Sequence, residues 1–260
     1  MSLVRAKKHL GQHFLTDKNI AQKIVNSLQS AQLYNQVLEV GPGMGVLSDF
    51  LLEKSEYQTY LIDIDTESFL FLQKKYPHLG DKLINDDFLN LDFKSVFPSS
   101  FAIIGNFPYN ISSQILFKIL DNHNQVPEVV GMFQKEVAER IVAKPGNKQY
   151  GILSVFLQAY YKCEYLFTVK AGVFNPPPKV LSAVIRLSRN EVAQLDCNEK
   201  LFWQVVKAGF NQRRKTLSNA LQTIIGKENQ DEQKIWTLRA EQLSVADFVS
   251  LTQTISNTRI

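Results

Sequence analysis

The sequence predicts an α/β fold, a parallel sheet with helices on both faces, followed by a small all-helical C-terminal domain. Three observations carry this. Between residues 36 and 143, short apolar runs of strand length alternate strictly with helix-like stretches, the pattern of strands joined by crossover helices. The first of these strands ends in Gly41-Pro-Gly-Met-Gly45, a glycine-rich turn of the kind that joins strand to helix beside a ligand. From about Glu191 the strand-like runs stop and only helical periodicity remains.

In chain order, Thr16 and Asp17 are good N-cap residues, and behind them Ile20, Ile24, Val25 and Leu28 fall on one helical face. Residues 36–40 form a short apolar strand and residues 46–53 a helix. A second strand covers 59–65 and a helix 66–75, with further strands at 82–86 and 101–105. Ser112 can cap a helix through Leu120; residues 129–133 read as a strand and 135–143 as a helix. The pattern then changes. Residues 151–161 look like a buried helix, and 165–169 and 180–187 like strands close enough to form an antiparallel edge on the parallel sheet. Residues 201–210, 216–225, 233–238 and 245–255 are helical, with Ser244 and Asp247 resembling a capping box. The expected domains are residues 1–190, an N-terminal arm with the α/β domain, and 191–260, the helical domain.

Composition suits such a globular protein, with 260 residues, 45% hydrophobic and 21% charged. No run approaches the ~18 apolar residues of a membrane span, and the basic N-terminus has no apolar stretch of a secretory signal behind it. Cys163 and Cys197 lie far apart, and His9, His13, His78 and His123 show no ligand spacing. Neither a disulfide framework nor a metal site is expected, and a cytoplasmic protein is the natural reading. A monomer is the default. Residues 1–30 carry five Lys/Arg against one Asp, residues 180–260 eleven against eight Asp/Glu, and residues 31–179 thirteen against sixteen. Positive ends flank a slightly acidic middle, which suits a protein whose ends grip phosphates around a central site.

The chemistry-bearing residues follow the strands. The glycine loop is Gly-x-Gly-x-Gly, and Gly41 lets a ligand approach the backbone closely; alone the loop does not select that ligand. Asp63 and Asp65 end the next strand, 22 and 24 residues after Gly41. A carboxylate there can accept both ribose hydroxyl protons, in a nicotinamide enzyme as in a methyltransferase. Asp63 is in phase with Leu61, whereas Asp65 either faces the other way or caps the following helix. At the end of the third strand, Asp87 can accept a proton from an adenine amine and Phe88 can contact its ring.

Asn106-Phe-Pro-Tyr109 follows the fourth strand and selects the reaction. An exocyclic amine is hard to alkylate because its lone pair is delocalised into the ring. Acceptors at its N–H groups pull the nitrogen toward tetrahedral geometry, and Asn106 Oδ1 with a backbone carbonyl, that of Phe107, can supply two. Pro108 fixes the turn and has no N–H to compete there. Tyr109 offers a stacking face, a contact of ~1–3 kcal/mol per base that offsets extrusion of the target.

At these residues the chain resembles the ribosomal RNA adenine N6,N6-dimethyltransferase family, and within it the bacterial small-subunit (16S) enzymes linked to kasugamycin sensitivity. The resemblance runs through Lys7-Lys-His-Leu-Gly-Gln-His-Phe-Leu15, Leu38-Glu-Val-Gly-Pro-Gly-Met-Gly-Val-Leu47 and Gly105-Asn-Phe-Pro-Tyr-Asn-Ile-Ser112. It continues in Gln134-Lys-Glu-Val-Ala-Glu-Arg-Ile-Val-Ala143, Phe174-Asn-Pro-Pro-Pro-Lys-Val180 and, near the C-terminus, Phe210-Asn-Gln-Arg-Arg-Lys-Thr-Leu217 and Arg239-Ala-Glu-Gln-Leu-Ser244. It implies a Rossmann-like methyltransferase domain that uses S-adenosylmethionine. It implies that His13 and Leu15 help close the cofactor site, that Gly41 lines it, that Asp63 binds ribose and Asp87 the cofactor adenine. Asn106 would face both cofactor and target amine, and Phe174 would stack on the target opposite Tyr109. The implied product is N6,N6-dimethyladenine at two adjacent adenines in the 3′-terminal hairpin loop of 16S rRNA, within the small subunit or its precursor.

Three positions depart from the family's commonest pattern: His13 stands where Asn is frequent, Asp63 where Glu is frequent, and Phe107 where Leu is usual. For the RNA, Arg213, Arg214 and Lys215 between two helical stretches, and Arg5, Lys7 and Lys8 in the arm, suit phosphate contacts. Competing readings are a large-subunit (23S) rRNA adenine methyltransferase, an assembly factor with secondary catalysis, and a nicotinamide dehydrogenase. The C-terminal motifs favour the small-subunit enzyme over the first, the intact site argues against the second, and Asn106–Tyr109 with the basic ends goes unexplained by the third.

Overall fold

A computed structural model describes residues 4–225 and 234–258. After the arm come β1 (Phe14–Leu15), α1 (Lys18–Val25), β2 (Gln36–Val40), α2 (Val46–Leu51), β3 (Gln58–Ile62), α3 (Thr66–Lys75) and β4 (Leu83–Ile84). Next are α4 (Phe93–Val96), β5 (Ala102–Asn106), α5 (Ser112–Asp121), β6 (Glu128–Gln134) and α6 (Lys135–Val142). The chain continues through α7 (Ile152–Tyr160), β7 (Tyr161–Val169), β8 (Phe174–Asn175) and β9 (Ser182–Arg189). It ends in α8 (Glu199–Asn211), α9 (Leu217–Ala220), α10 (Gln222–Ile225) and α11 (Val245–Thr258).

Seven strands form one sheet in the order β4-β3-β2-β5-β6-β9-β7. The pairs from β4 to β6 are parallel, and β9 runs antiparallel to β6. Every residue of β2 is buried, and so are Ala102–Gly105 of β5, as expected of strands covered on both faces. The chain winds outward from β2 through β3 to β4, then crosses back to β5 on the other side of β2. That reversal leaves a crevice beyond the carboxyl ends of β2 and β5, where open α/β sheets bind ligands.

Local chemistry sets the element ends. Asp17 caps α1 by accepting the amides of Asn19 and Ile20. Thr16 instead holds the Val173 carbonyl through both its amide and its hydroxyl. Ser112 opens α5 but does not cap it; its hydroxyl donates to the Tyr109 carbonyl and Ile111 is the cap residue. Strands β1 and β8 pair antiparallel, Leu15 opposite Phe174, and at two residues each they are too short to show a hydrophobic period.

The chain divides into two compact units, Met1–Ala138 with Lys162–Arg189, and Glu139–Tyr161 with Asn190–Ile260. This division differs from a single cut at 190/191 in that α7 groups with the C-terminal helices. Within that second unit the Phe156 ring lies 3.7 Å from Trp203 and 6.1 Å from Phe202, both on α8, and the Tyr160 hydroxyl donates to Glu199. A helix that runs straight into a strand reads as one more crossover, so sequence pattern alone assigns it to the sheet.

Asn198 caps α8, and Ser244 and Asp247 form the expected reciprocal cap of α11. The helix expected over 216–225 is broken at Leu221 into α9 and α10. That expected over 233–238 is a 3-10 turn at Lys234–Thr237, its first residue lying outside the described ones. Among the described residues no helix is long and apolar enough to cross a membrane.

Candidate active site

The crevice holds a cleft of about 900 Å³, counting solvent at its mouth. Its walls come from the loops after β2, β3, β4 and β5, and from residues 10–14 of the arm. The glycine loop forms one wall. Gly43 has φ 56°, and a Cβ there would come 2.7 Å from the Phe14 ring, so both backbone shape and space demand glycine. Gly41, at φ 68°, lines the cleft, and a Cβ there would make ordinary contact with Pro108 at 3.8 Å, so backbone shape rather than space favours glycine.

Asp63 projects into the cleft although it is buried. One carboxylate oxygen accepts the Gly43 amide (3.0 Å) and the other the Asp65 amide (2.9 Å). Burial pushes its carboxyl up to about 6, against the pull of those two amides. Asp65 turns away and caps α3, accepting the Glu67 amide and the Ser68 hydroxyl. Burial alone would raise its carboxyl, but hydrogen bonds from Lys7 and Gln12 outweigh that and hold it below the ordinary value. Asp87 lines the cleft, its carboxylate steadied by the Leu89 amide and Asn90 Nδ2. Phe88 is also in the wall, buried against Phe93 at 5.5 Å.

Sequence reasoning passes over two residues. Ile64, between the two strand-end acids, is 53% exposed and lines the cleft. The available signal was an apolar residue placed just past the last paired residue of β3. Glu39, in β2, is buried and lines a smaller pocket behind Gly41 with Leu15, Pro42 and Asn106. Burial pushes its carboxyl up to about 8, although the Ser48 hydroxyl donates to it.

The end of β5 carries the reaction-selecting turn. Asn106 Nδ2 donates to the His13 carbonyl at 2.8 Å. A carbonyl only accepts, so the amide nitrogen must face it, and Oδ1 is left as an acceptor. Among the described residues nothing donates to Asn106 Oδ1 or to the Phe107 carbonyl. Phe107 donates its amide to Met132 and buries its ring 5.1 Å from Phe133. Pro108 and Tyr109 line the cleft. The Tyr109 hydroxyl pairs with Ser182 Oγ, and burial raises the phenol. The His13 ring lies 5.5 Å from that of Tyr109, inclined at 30°, with Nδ1 donating to the Pro176 carbonyl.

Several expected residues lie elsewhere. Phe174 is buried in the core with Leu15, Met132 and Val184, because pairing of β8 with β1 turns its side chain inward with that of Leu15. The ring that packs near Tyr109 is His13. Lys7 is engaged by Asp65, with Glu67 at 3.6 Å. Arg213 is engaged by Glu241 at 2.6 Å and by the Lys148 carbonyl. Both are held by carboxylates of the protein itself. Arg5, Lys8, Arg214 and Lys215 are exposed.

A family model described as ribosomal RNA adenine dimethylase matches residues 3–257. The chain belongs to the ribosomal RNA adenine dimethylase family. It is therefore an S-adenosylmethionine-dependent methyltransferase acting on adenine in ribosomal RNA. Ribosomal RNA small subunit methyltransferase A of Cytophaga hutchinsonii is 59% identical over 98% of this chain and 99% of that protein. The protein of the same name from Flavobacterium johnsoniae is 56% identical over 98% and 97%. Among solved structures, a dimethyladenosine transferase from Plasmodium falciparum covers 95% of this dimethylase and 99% of its own chain, with TM-score 0.80 and 26% identity. The 23S rRNA methyltransferase ErmE matches at TM-score 0.67 and 23% identity over 92% of this chain and 99% of its own, a likeness of fold. The dimethylase's cleft suits its cofactor chemically. Its described lining has Asp63, Asp86 and Asp87 but no Lys or Arg, which disfavours a pyrophosphate and accommodates a sulfonium cation.

Proposed function

We propose that this dimethylase transfers methyl groups to N6 of two adjacent adenines in the 3′-terminal hairpin loop of 16S rRNA, during small-subunit biogenesis in the cytoplasm, as a monomer. The small-subunit target is supported by relatives of that name at 59% and 56% identity over nearly the whole chain. The chemistry rests on one observation: Asn106 Oδ1 and the Phe107 carbonyl follow one another at the end of β5 as acceptors to which no described residue donates.

S-adenosylmethionine supplies an electrophilic sulfonium methyl. Asp63 accepts the ribose hydroxyls, Asp87 the adenine amine, and Ile64 with Phe88 gives the adenine an apolar bed. Gly41 and the pocket behind it, with Leu15 in its wall, receive the amino-acid end, and His13 closes the site from the arm. Asn106 Oδ1 and the Phe107 carbonyl accept the two N–H groups of the target amine, so that its lone pair turns toward the methyl. Pro108 keeps the turn free of a competing donor, and Tyr109 stacks on the extruded base. No strong general base is required, because the amine becomes acidic only after it has attacked. Arg5, Lys8, Arg214 and Lys215 contact phosphates and make binding salt-dependent.

The test is incubation with labelled S-adenosylmethionine and small subunits lacking the modification, with large subunits and an Asn106→Ala variant as controls. Dimethyladenine in small-subunit RNA only, lost in the variant, is expected. Transfer to large-subunit RNA would reassign the target, and binding of RNA without transfer to either would mark an assembly factor.

A further inference from the structure

The arm is the one wall of the cleft that adds no strand to the main sheet. From Phe14 onward it is fixed by pairing with β8. Residues 7–13 are held differently, by side chains at both banks of the cleft. On the β5 bank, Asn106 donates to the His13 carbonyl (2.8 Å) and Asn110 to the His9 carbonyl (3.3 Å). On the β3 bank Asp65 is the shared partner: Lys7 Nζ pairs with one carboxylate oxygen, with Glu67 also at 3.6 Å, and Gln12 Nε2 donates to the other oxygen at 3.2 Å. Gln12 Oε1 meanwhile accepts the Lys7 amide at 2.8 Å, closing the loop between the two residues.

We propose that Asp65 is the latch of this strap, a positioning residue whose grip on Lys7 and Gln12 sets how long S-adenosylmethionine stays in the cleft. The inference rests on the cleft being the cofactor site. A ligand enclosed between the sheet loops and the strap leaves when residues 7–13 lift from a bank. Asp65 takes hold of the strap at two places, Lys7 at its start and Gln12 close to β1. Its carboxylate also caps α3, so the strap is fastened to a rigid element.

Asp65→Asn separates the two roles, since asparagine caps a helix as well as aspartate does but carries no charge, leaving Lys7 only the more distant Glu67. The experiment follows release of labelled S-adenosylmethionine under an unlabelled chase, and amide hydrogen exchange over residues 7–13. It uses the full chain, Asp65→Asn, Lys7→Met and the double variant. Each single change is expected to speed release about tenfold, the loss of one charge-assisted hydrogen bond, and to raise exchange in the strap. The double variant should be far slower than the product of the two single effects, because both remove the Lys7–Asp65 contact and only the longer Lys7–Glu67 pair, at 3.6 Å, is lost in addition. Wild-type release from Asp65→Asn would overturn the proposal, and so would faster strap exchange without faster release. Asp87→Ala is the control on the cleft: unchanged cofactor affinity there would fault the cofactor-site reading, while strap exchange would still report on the latch.

Discussion

At the scale of single residues, burial decides what the motif residues can do. Asp63 must be ionised to accept both ribose hydroxyls, yet its burial brings the carboxyl up to about 6. Cofactor affinity should therefore fall as pH drops through about 6, and Asp63→Asn should weaken binding and flatten the profile; titration calorimetry on both sides of that value checks it. The effect on stability has the opposite sense. The folded chain holds a proton that the unfolded chain releases, so this group costs stability as pH rises from about 4 toward its folded value. Phe107 shows the same dependence on neighbours. A Cβ on Gly131 would come 2.3 Å from its ring, so the larger residue at position 107 relies on glycine at 131. Gly131→Ala should cost about 1–3 kcal/mol in denaturant unfolding, and adding Phe107→Leu should recover part of it. Asn106, Gly41, Asp63 and Asp87 were legible because each stands at a recognisable strand end. Phe174, Lys7 and Arg213 were not, since whether a side chain is free depends on partners remote in sequence: β1 for Phe174, Asp65 for Lys7, Glu241 for Arg213.

At the scale of elements, the long strands and helices were legible from hydrophobic period, and the devices that fix their placement were not. Glu128 opens β6 and is wholly buried. Its carboxylate accepts the amides of Gln29 and Ser30 and the Tyr34 hydroxyl (2.7 Å), holding the turn that leads from α1 into β2. No periodicity marks such a residue, because its partners lie almost a hundred positions away. Glu128→Gln turns an amide N–H₂ toward donors and removes the charge they serve. It should cost about 2–3 kcal/mol, whereas Tyr34→Phe should cost about 1 kcal/mol. Denaturation midpoints with unchanged slopes would establish both, and equal small losses would show that the turn holds without the carboxylate. Strands β1 and β8 were unreadable for another reason. Two residues make no pattern, yet their pairing buries Phe174 and anchors the strap.

At the scale of the whole molecule, the charge imbalance between the ends and the middle was visible in the sequence, but not which cations are free. Neutralising Arg214 and Lys215 should lower the slope of log affinity against log salt for RNA by about 1–2. Arg213→Ala should act mainly on stability, since its guanidinium is occupied by Glu241 and the Lys148 carbonyl. The division of the chain leads to a sharper prediction. Residues 191–260 look self-sufficient in sequence, four helical stretches after the last strand. The structure makes their unit discontinuous by including Glu139–Tyr161. Within it Phe156 and Tyr160 of α7 reach α8, and full burial of a large apolar side chain is worth about 1.5–3 kcal/mol. Residues 191–260 alone number only 70, and at about 70–80 residues or fewer a single core rarely supplies more than about 3–5 kcal/mol. A fragment of residues 191–260 should therefore show weak helical circular dichroism and no cooperative thermal transition. A peptide of residues 139–161 added to it should restore helicity, and a Phe156→Ala peptide should restore less. A sharp transition from the fragment alone would mean that the C-terminal helices form a core without α7, and that the boundary read from the sequence is the physical one.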